Sequence, residues 1–446
     1  MFGKFESIDI QRKPLVDVNT KAVTFGSCFA FNIYQTLRQY NDNLVSMEFG
    51  VQYNVHSVQN ILNNYVKGKY LEEHDLIPLN SNELTTVRYS NLYFPAAYSD
   101  KFLERARTRE SKYWENIKQA EICIITLGTS DVLRLKSTNE IVTNTNHLDK
   151  SLLLEDRLSM SDNLKCLEQI REIMKSESQV KHFIVTVSPQ IYKFGKSNED
   201  YRVVNSSSKA NMRAAADVFY KLHDDVHYFP SYEIVIDELR GWEYFSLDRV
   251  HVSNETRNYI MKRFFATYCT EALEELTILL NKAAQLFYRF EHFYSIGFRE
   301  MAKEYYQKCV DLLDSLSDVQ MNETKKKTLI VQMLLRQNRY AEISNLLESM
   351  GDNRRNFVLE FLYALSLKET GKTEYSIGRF KALLEKYSLT DENQALYVKI
   401  YHHLGEMYYQ QKELHLAKEY FTRHCLSSVN QLKPSLLNDI QINLPE

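Results

Sequence analysis

Between residue 20 and about residue 270 the chain alternates short, unbroken apolar runs with longer stretches of helix-period sequence. The runs are Ala22 to Phe25, Ile122 to Leu127, Phe183 to Val187 and Val226 to Phe229, with Ile234 to Ile236 read as a further strand. Unbroken apolar runs of this length are what strands need when helices cover both faces. Each ends in a turn-former or small polar residue: Gly26-Ser27, Gly128-Thr129-Ser130, Ser188-Pro189 and Pro230-Ser231. Helical patterns follow, as at Asn32 to Tyr40, Leu164 to Lys175 and about Thr256 to Leu273. Strand, turn and helix repeated in this way predict an α/β fold with a parallel sheet flanked by helices. Ligands of such sheets gather at the carboxyl ends of the strands, so the residues closing each run are the first candidates for chemistry.

After about residue 275 the strand pattern stops, and amphipathic helix-length segments rich in Leu, Tyr, Glu and Lys take over. Tyr401-x2-Leu404-Gly405-x2-Tyr408 followed by Ala417-x3-Phe421 has the spacing of a tetratricopeptide repeat. Ala302-x3-Tyr306, with Leu286, Phe290 and Phe293 upstream, is a looser copy, and a third lies around Ala364, Leu367, Gly371 and Phe380. Residues 329–348 supply another helical pair. Helix pairs bury their apolar faces on neighbours, so several stacked units form an all-α repeat domain. The expected division is residues 1–275 and residues 276–446, against a generic helical bundle as the alternative for the second part.

Composition narrows the class. A hydrophobic share of 44 % and a charged share of 25 % exclude a disordered chain. Lys+Arg 55 against Asp+Glu 58 gives a net charge of −3, which argues against nucleic acid as a partner. Only 12 glycines and 7 prolines favour helices over an all-β sandwich. No apolar run approaches the roughly 20 residues that span a bilayer, and the amino terminus has no secretory pattern. The six cysteines have no paired spacing, so neither a zinc site nor a disulfide framework is expected. These features predict a cytoplasmic protein.

Two stretches carry candidate chemistry. In Phe25-Gly26-Ser27-Cys28-Phe29-Ala30 a serine sits on the turn between a buried strand and a helix, with its own N–H at the helix N-terminus. The same placement also describes a simple N-cap. Far downstream, Asp248-x-x-His251 precedes a helix, where the carboxylate can orient an imidazole that takes a proton from a serine hydroxyl.

FGSCFA is the name-giving motif of the GSCFA family, which belongs to or lies beside the SGNH (GDSL-like) hydrolases, and the sequence resembles that family over about residues 15–270. Supporting stretches are Phe49-Gly50-Val-Gln-Tyr53-Asn54, Thr126 to Ser130, Val187-Ser188-Pro189, Asn205 to Lys209 and Ser231 to Leu239, closed by Asp248-x-x-His251. The resemblance implies an SGNH-like sheet with Ser27 as nucleophile, His251 as general base and Asp248 as its orienting acid. It implies an oxyanion hole formed by the Ser27 N–H, the Gly50 N–H and an asparagine amide. Here the sequence departs from the pattern, because Ser130 stands where SGNH enzymes usually carry Asn. Either Asn54 supplies the amide, or the Ser130 hydroxyl and Gly128 N–H replace it.

Other residues weigh less. Cys28 reads as a packed small hydrophobe, and His223 and His227 read as structural because a strand breaks their helical spacing. His56, Arg134, Lys209 and Tyr232 are candidate substrate contacts by position, whereas His402 and His403 fall in the repeats and are expected to face solvent. The resemblance implies serine-dependent acyl-ester chemistry on carbohydrate, with no bound cofactor and no metal. A cytoplasmic location favours an O-acetyltransferase that moves acetyl from acetyl-CoA to a bacterial, capsule-type polysaccharide. The alternatives are an SGNH-type carbohydrate acetylesterase and a non-catalytic scaffold whose helical repeats hold a protein partner.

Overall fold

The computed structural model describes residues 7–38, 41, 43–46, 51–78, 84–87, 93–95, 99–142, 150–192, 199–316, 323–351, 355–387 and 394–429. The chain divides into two compact units, Met1–Ile278 and Leu279–Glu446.

The first unit is organised around parallel strands buried on both faces. β1 (Ala22–Gly26) leads into α1 (Cys28–Arg38), β2 (Leu44–Ser46) and α2 (Val55–Val66). A small antiparallel sheet of β3 (Leu76–Pro78), β4 (Leu84–Val87) and β5 (Tyr93–Pro95) precedes α3 (Ser99–Lys118) and β6 (Ile122–Leu127). β7 (Asp131–Leu135), β8 (Ile141–Val142) and β9 (Leu153–Arg157) form a second antiparallel sheet in the order β8-β7-β9. α4 (Met160–Glu177), β10 (His182–Val187), α5 (Tyr201–Leu222), β11 (Val226–Tyr228), the short α6 (Ser231–Glu233) and α7 (Asn254–Tyr268) complete the unit. The main sheet has the order β11-β10-β6-β1-β2, with every pairing parallel.

Register places alternate side chains on opposite faces. Val23, Cys123 and Phe183 align across the sheet, as do Phe25, Ile125 and Val185. These six bury one face against Val58 and Leu62 of α2, Trp114 and Ile117 of α3, Leu167 and Ile170 of α4, and Ala215 and Phe219 of α5. α1 packs on β1 and β6 and buries Phe29, Ile33 and Leu37. The expected parallel sheet with helices is therefore present, and the apolar runs at Ala22, Ile122, Phe183 and Val226 are four of its strands.

Three expectations are corrected. Ile234 to Ile236 do not form a strand; Ile234–Leu239 is a π-helical turn that continues α6. Ser231 opens that turn by bonding back to Val187 O at 2.8 Å, which folds the chain over the end of β10 before it can extend. The helix expected over Thr256 to Leu273 is two helices, because α7 ends at Tyr268 and α8 (Glu271–Ser295) begins after Cys269 and Thr270. Thr270 N–H donates to Val16 O at 2.9 Å, so the amino-terminal segment occupies the break. The helix expected at Asn32 to Tyr40 starts earlier, at Cys28, and Tyr40 lies outside the described residues.

The second unit is all-helical among the described residues: the rest of α8, then α9 (Arg299–Asp314), α10 (Glu323–Arg336), α11 (Tyr340–Met350), α12 (Phe357–Glu369), α13 (Thr373–Lys386), α14 (Gln394–Gln410) and α15 (Leu414–Val429). α12 is buried nearly all round, from Phe357 through Leu367, as a central helix must be. Gly405 of α14 admits the Phe421 ring of α15, since a Cβ there would lie 2.8 Å from the ring. Tyr408 and Tyr420 stack 5.6 Å apart beside it.

Candidate functional site

The chain leaves β1 toward β2 on one side, while β6 lies on the other. This reversal of strand order opens a crevice at the carboxyl ends of β1 and β6, where ligands of open α/β sheets bind. Gly26 and Ser27 close β1 at that point, and Gly128 follows β6. Gly26 has φ +120°, and a Cβ there would meet Thr126 O at 2.0 Å, so only glycine lets β1 turn this tightly against β6.

Ser27 is 2 % exposed. Its Oγ lies 2.9 Å from Thr126 Oγ1 and accepts from Phe29 N–H at 3.2 Å, as an N-cap does. The Ser27 N–H points to Thr126 Oγ1 at 3.0 Å and Thr126 O at 3.2 Å, so the β6 threonine occupies this expected oxyanion donor. Gly128 presses on the serine, since a Cβ on Gly128 would lie 3.0 Å from Ser27 Cβ and 2.7 Å from Tyr53 O. Thr129 N–H then donates to Tyr53 O at 2.9 Å.

That contact brings Asn54 to the crevice. Asn54 caps α2, with its Oδ1 accepting from Ser57 N–H at 2.9 Å and Ser57 Oγ–H at 3.0 Å. Its carbonyl oxygen is thus committed to the helix, and its amide N–H groups have no partner among the described residues although the residue is buried. Ser130 is placed differently. It is fully buried, and its Oγ–H donates to Ser208 O at 3.1 Å on α5, away from Ser27. Gly50 lies outside the described residues.

Asp248 and His251 share a short loop before α7. His251 Nδ1 is 2.6 Å from Asp248 Oδ2, while Asp248 Oδ1 accepts from Val250 N–H at 2.8 Å and His251 N–H at 3.0 Å. The imidazole and these backbone donors hold the Asp248 carboxyl down at about 2, so it is ionised at neutral pH. Both side chains are about half exposed. No hydrogen bond joins Ser27 to His251 among the described residues; the link is through the exit of β10. Ile191 N–H donates to Val250 O at 3.0 Å, and the neighbouring Gln190 Oε1 accepts from the Cys28 thiol. The Asp–His loop is thereby tied to the sheet end that carries Ser27. Burial pushes the Cys28 thiol up, which keeps it protonated.

The remaining candidates scatter. Lys209 is 2 % exposed, and its Nζ donates to Gly128 O and Ser188 O, each at 2.7 Å, so it spans the ends of β6 and β10 from beneath. Burial pushes its pKa down to about 7 against the opposing pull of Cys28 and Asp131. Arg134 pairs with Asp156 at 2.7 Å on the neighbouring antiparallel sheet. His56, half-buried at the start of α2, is held below the usual imidazole range by burial and by Arg134. Tyr232 packs against the core beside β10, where burial raises its phenol. His223 pairs with Glu168 at 2.8 Å, and His227 lies 3.3 Å from both Lys13 and His182. In the second unit, His402 and His403 both pair with Glu406; His402 is about half exposed, whereas His403 is mostly buried, stacked on Phe380 and held below the usual imidazole range by burial.

Several neighbours of Ser27 escaped sequence reasoning. Thr126 looks like an ordinary strand residue, and only register sets it opposite Gly26. The rings of Tyr53 and Tyr192 meet at a tilt with centroids 5.4 Å apart, and burial lifts the Tyr192 phenol to about 12. Ser208 lies in the Asn205 to Lys209 stretch and Gln190 just after Ser188-Pro189, and only the fold shows what either side chain touches.

A parallel sheet flanked by helices, with Ser27 at the carboxyl end of β1, defines an α/β protein. The sequence pattern of the GSCFA family matches residues 21–264, more than half of the chain, and the chain belongs to that family. Membership points to a hydrolase-like function. No curated protein matches the chain. A solved structure, the MamA RS-1 ArsTM double mutant, is similar at 18 % identity over 39 % of this chain and 93 % of its own, with a TM-score of 0.26. Among the described residues no helix is long and apolar enough to cross a membrane.

Proposed function

We propose that the first unit is a serine-dependent acyl-ester enzyme acting on acylated carbohydrate, with Ser27 as nucleophile, His251 as general base and Asp248 as its orienting acid. The observation that carries this reading is the Asp248–His251 pair, 2.6 Å apart, on a loop that Ile191 N–H binds to the sheet end bearing Ser27. The Ser27 hydroxyl turns from Thr126 and attacks the acyl carbonyl while its proton passes to His251 Nε2. His251 Nδ1–H donates to Asp248 throughout. The Asn54 amide donates to the oxyanion, taking the place of the third-block asparagine of SGNH enzymes. Collapse expels the alcohol of an ester, or the CoA thiol when acetyl-CoA is the donor, which leaves with the proton from His251, and an acyl-Ser27 remains. Water or a sugar hydroxyl then attacks that ester as His251 takes its proton. The acyl–Oγ bond breaks, His251 returns the proton to Ser27 Oγ, and the free acid or the new sugar ester leaves.

The acceptor decides between hydrolysis and transfer, and the same residues serve both. The finer reading is O-acetyl transfer from acetyl-CoA to a capsule-type polysaccharide, with an SGNH-type acetylesterase as the alternative. The Gly405–Phe421 contact supports reading the second unit as tetratricopeptide-like pairs that hold the polymer or a protein partner. The test is aryl-acetate hydrolysis and CoA release from acetyl-CoA by wild type and Ser27→Ala, with and without bacterial polysaccharide. Ser27→Ala is expected to lower turnover by about 10³-fold or more. CoA release that needs both Ser27 and polysaccharide supports transfer. Turnover of aryl acetate alone supports the esterase, and full activity of Ser27→Ala sinks both.

A further inference from the structure

We infer that the Ser208–Lys209 pair of α5 is the positioning element that sets the oxyanion edge of the Ser27 site, acting through Gly128, Thr129 and Tyr53 on Asn54. The assignment rests on the acyl-Ser27 reading above.

The segment Gly128–Ser130 leaves the main sheet after Leu127, the last residue of β6 paired with β10. It has yet to enter β7, so no strand ladder holds it. The ties that hold it come chiefly from α5. Lys209 Nζ reaches Gly128 O at 2.7 Å, and Ser208 Oγ accepts from Ser130 N–H at 2.8 Å. Ser208 Oγ also lies 2.9 Å from Thr129 Oγ1, and the Ser130 hydroxyl returns a bond to Ser208 O. The second bond of Lys209, to Ser188 O, fixes the same amine to the end of β10. Two N–H donors serve these two carbonyls whether or not the amine carries a third proton.

What this clamp holds is the surface that touches Ser27. Gly128 approaches Tyr53 O more closely than any side-chain-bearing residue can and lies tight against Ser27 Cβ, and Thr129 N–H binds Tyr53 O at 2.9 Å. Tyr53 immediately precedes Asn54, whose oxygen caps α2 and whose amide N–H groups have no partner among the described residues. A slip of Gly128 therefore displaces Asn54 relative to Ser27. A buried lysine bound only to carbonyls is costly, and an apolar side chain would fill the same volume without that cost. Fixing geometry at the nucleophile gives the amine a purpose that packing does not.

The test is steady-state aryl-acetate hydrolysis by the full chain carrying Ser208→Ala, Lys209→Met and Asn54→Ala, singly and with each α5 change combined with Asn54→Ala. Lys209→Met is expected to lower kcat by about 10²-fold and Ser208→Ala by about 10-fold, with KM within about twofold, because misplacement by an ångström costs rate more than binding. In the Asn54→Ala background both α5 changes are expected to cost less than about twofold more, since the group they position is already gone. Wild-type kcat in either folded α5 variant overturns the assignment, and so do losses that multiply with that of Asn54→Ala. If Lys209→Met does not fold, the Ser208→Ala cycle alone decides. Absence of any Ser27-dependent turnover in the wild type overturns the ester reading itself, and this assignment with it.

Discussion

At the scale of single residues, the polar groups around Ser27 are committed to neighbours within the fold. Thr126 takes both the hydroxyl and the N–H of Ser27, and the Asn54 oxygen caps α2. Lys209 is the costliest group in the arrangement. Its pKa falls to about 7 in the fold, below the 10.5 of a free lysine. Between these values the unfolded chain binds more protons than the folded one, so stability rises with pH from about 7 to about 10.5. The slope contributed is at most about 1.4 kcal/mol per pH unit, and it vanishes in Lys209→Met. Both tryptophans, Trp114 and Trp242, lie in the first unit, so urea unfolding followed by their fluorescence at several pH values measures it.

At the scale of elements, the join between β1 and α1 is where backbone geometry and chemistry coincide. Gly26→Ala requires a side chain at φ +120° and drives a Cβ into Thr126 O. The strained dihedral alone costs about 1–3 kcal/mol, and the clash forces β1 and β6 apart. The expected result is a lower urea midpoint together with loss of Ser27 reactivity toward a fluorophosphonate. A variant with wild-type labelling would show that the turn adapts without moving the serine. The loop of Asp248 and His251 is a second such join. Arg249, between them, sits at φ +53°, a left-handed position that tightens the loop and lets one carboxylate cap two backbone N–H groups.

For the whole molecule, all the site residues fall in the first unit, and the division at Ile278 lies within α8. A chain of residues 1–295 keeps α8 whole and retains the main sheet with its core. It is expected to label with fluorophosphonate at Ser27 at the full-length rate, while any dependence of turnover on a polymeric acceptor disappears. Mass spectrometry of the labelled peptide checks the first point, and comparison of monomeric with polymeric acceptors checks the second. A truncated chain that is folded yet unlabelled would place the second unit in the chemistry.

The strands and their closing residues were legible because burial on both faces demands unbroken apolar runs, and a parallel sheet demands a helix between them. Ser27, Asp248 and His251 were legible because local patterns carry them. β2 and the two antiparallel sheets were not, since strands of two to five residues give too little periodicity to stand out. Ile234 to Ile236 misled for the opposite reason: three β-branched residues are short enough for a single tie, Ser231 to Val187, to wind them into a helix. The roles of Thr126, Tyr53, Ser208 and Lys209 depend on partners tens of residues distant, and only strand register and the packing of α5 bring them together. The choice between Asn54 and Ser130 has the same character. Sequence permits either, because both can donate a hydrogen bond. The tertiary structure commits the Ser130 hydroxyl to Ser208 on α5 and the Asn54 oxygen to the cap of α2, since buried polar groups take the partners at hand and only the fold determines which partners those are.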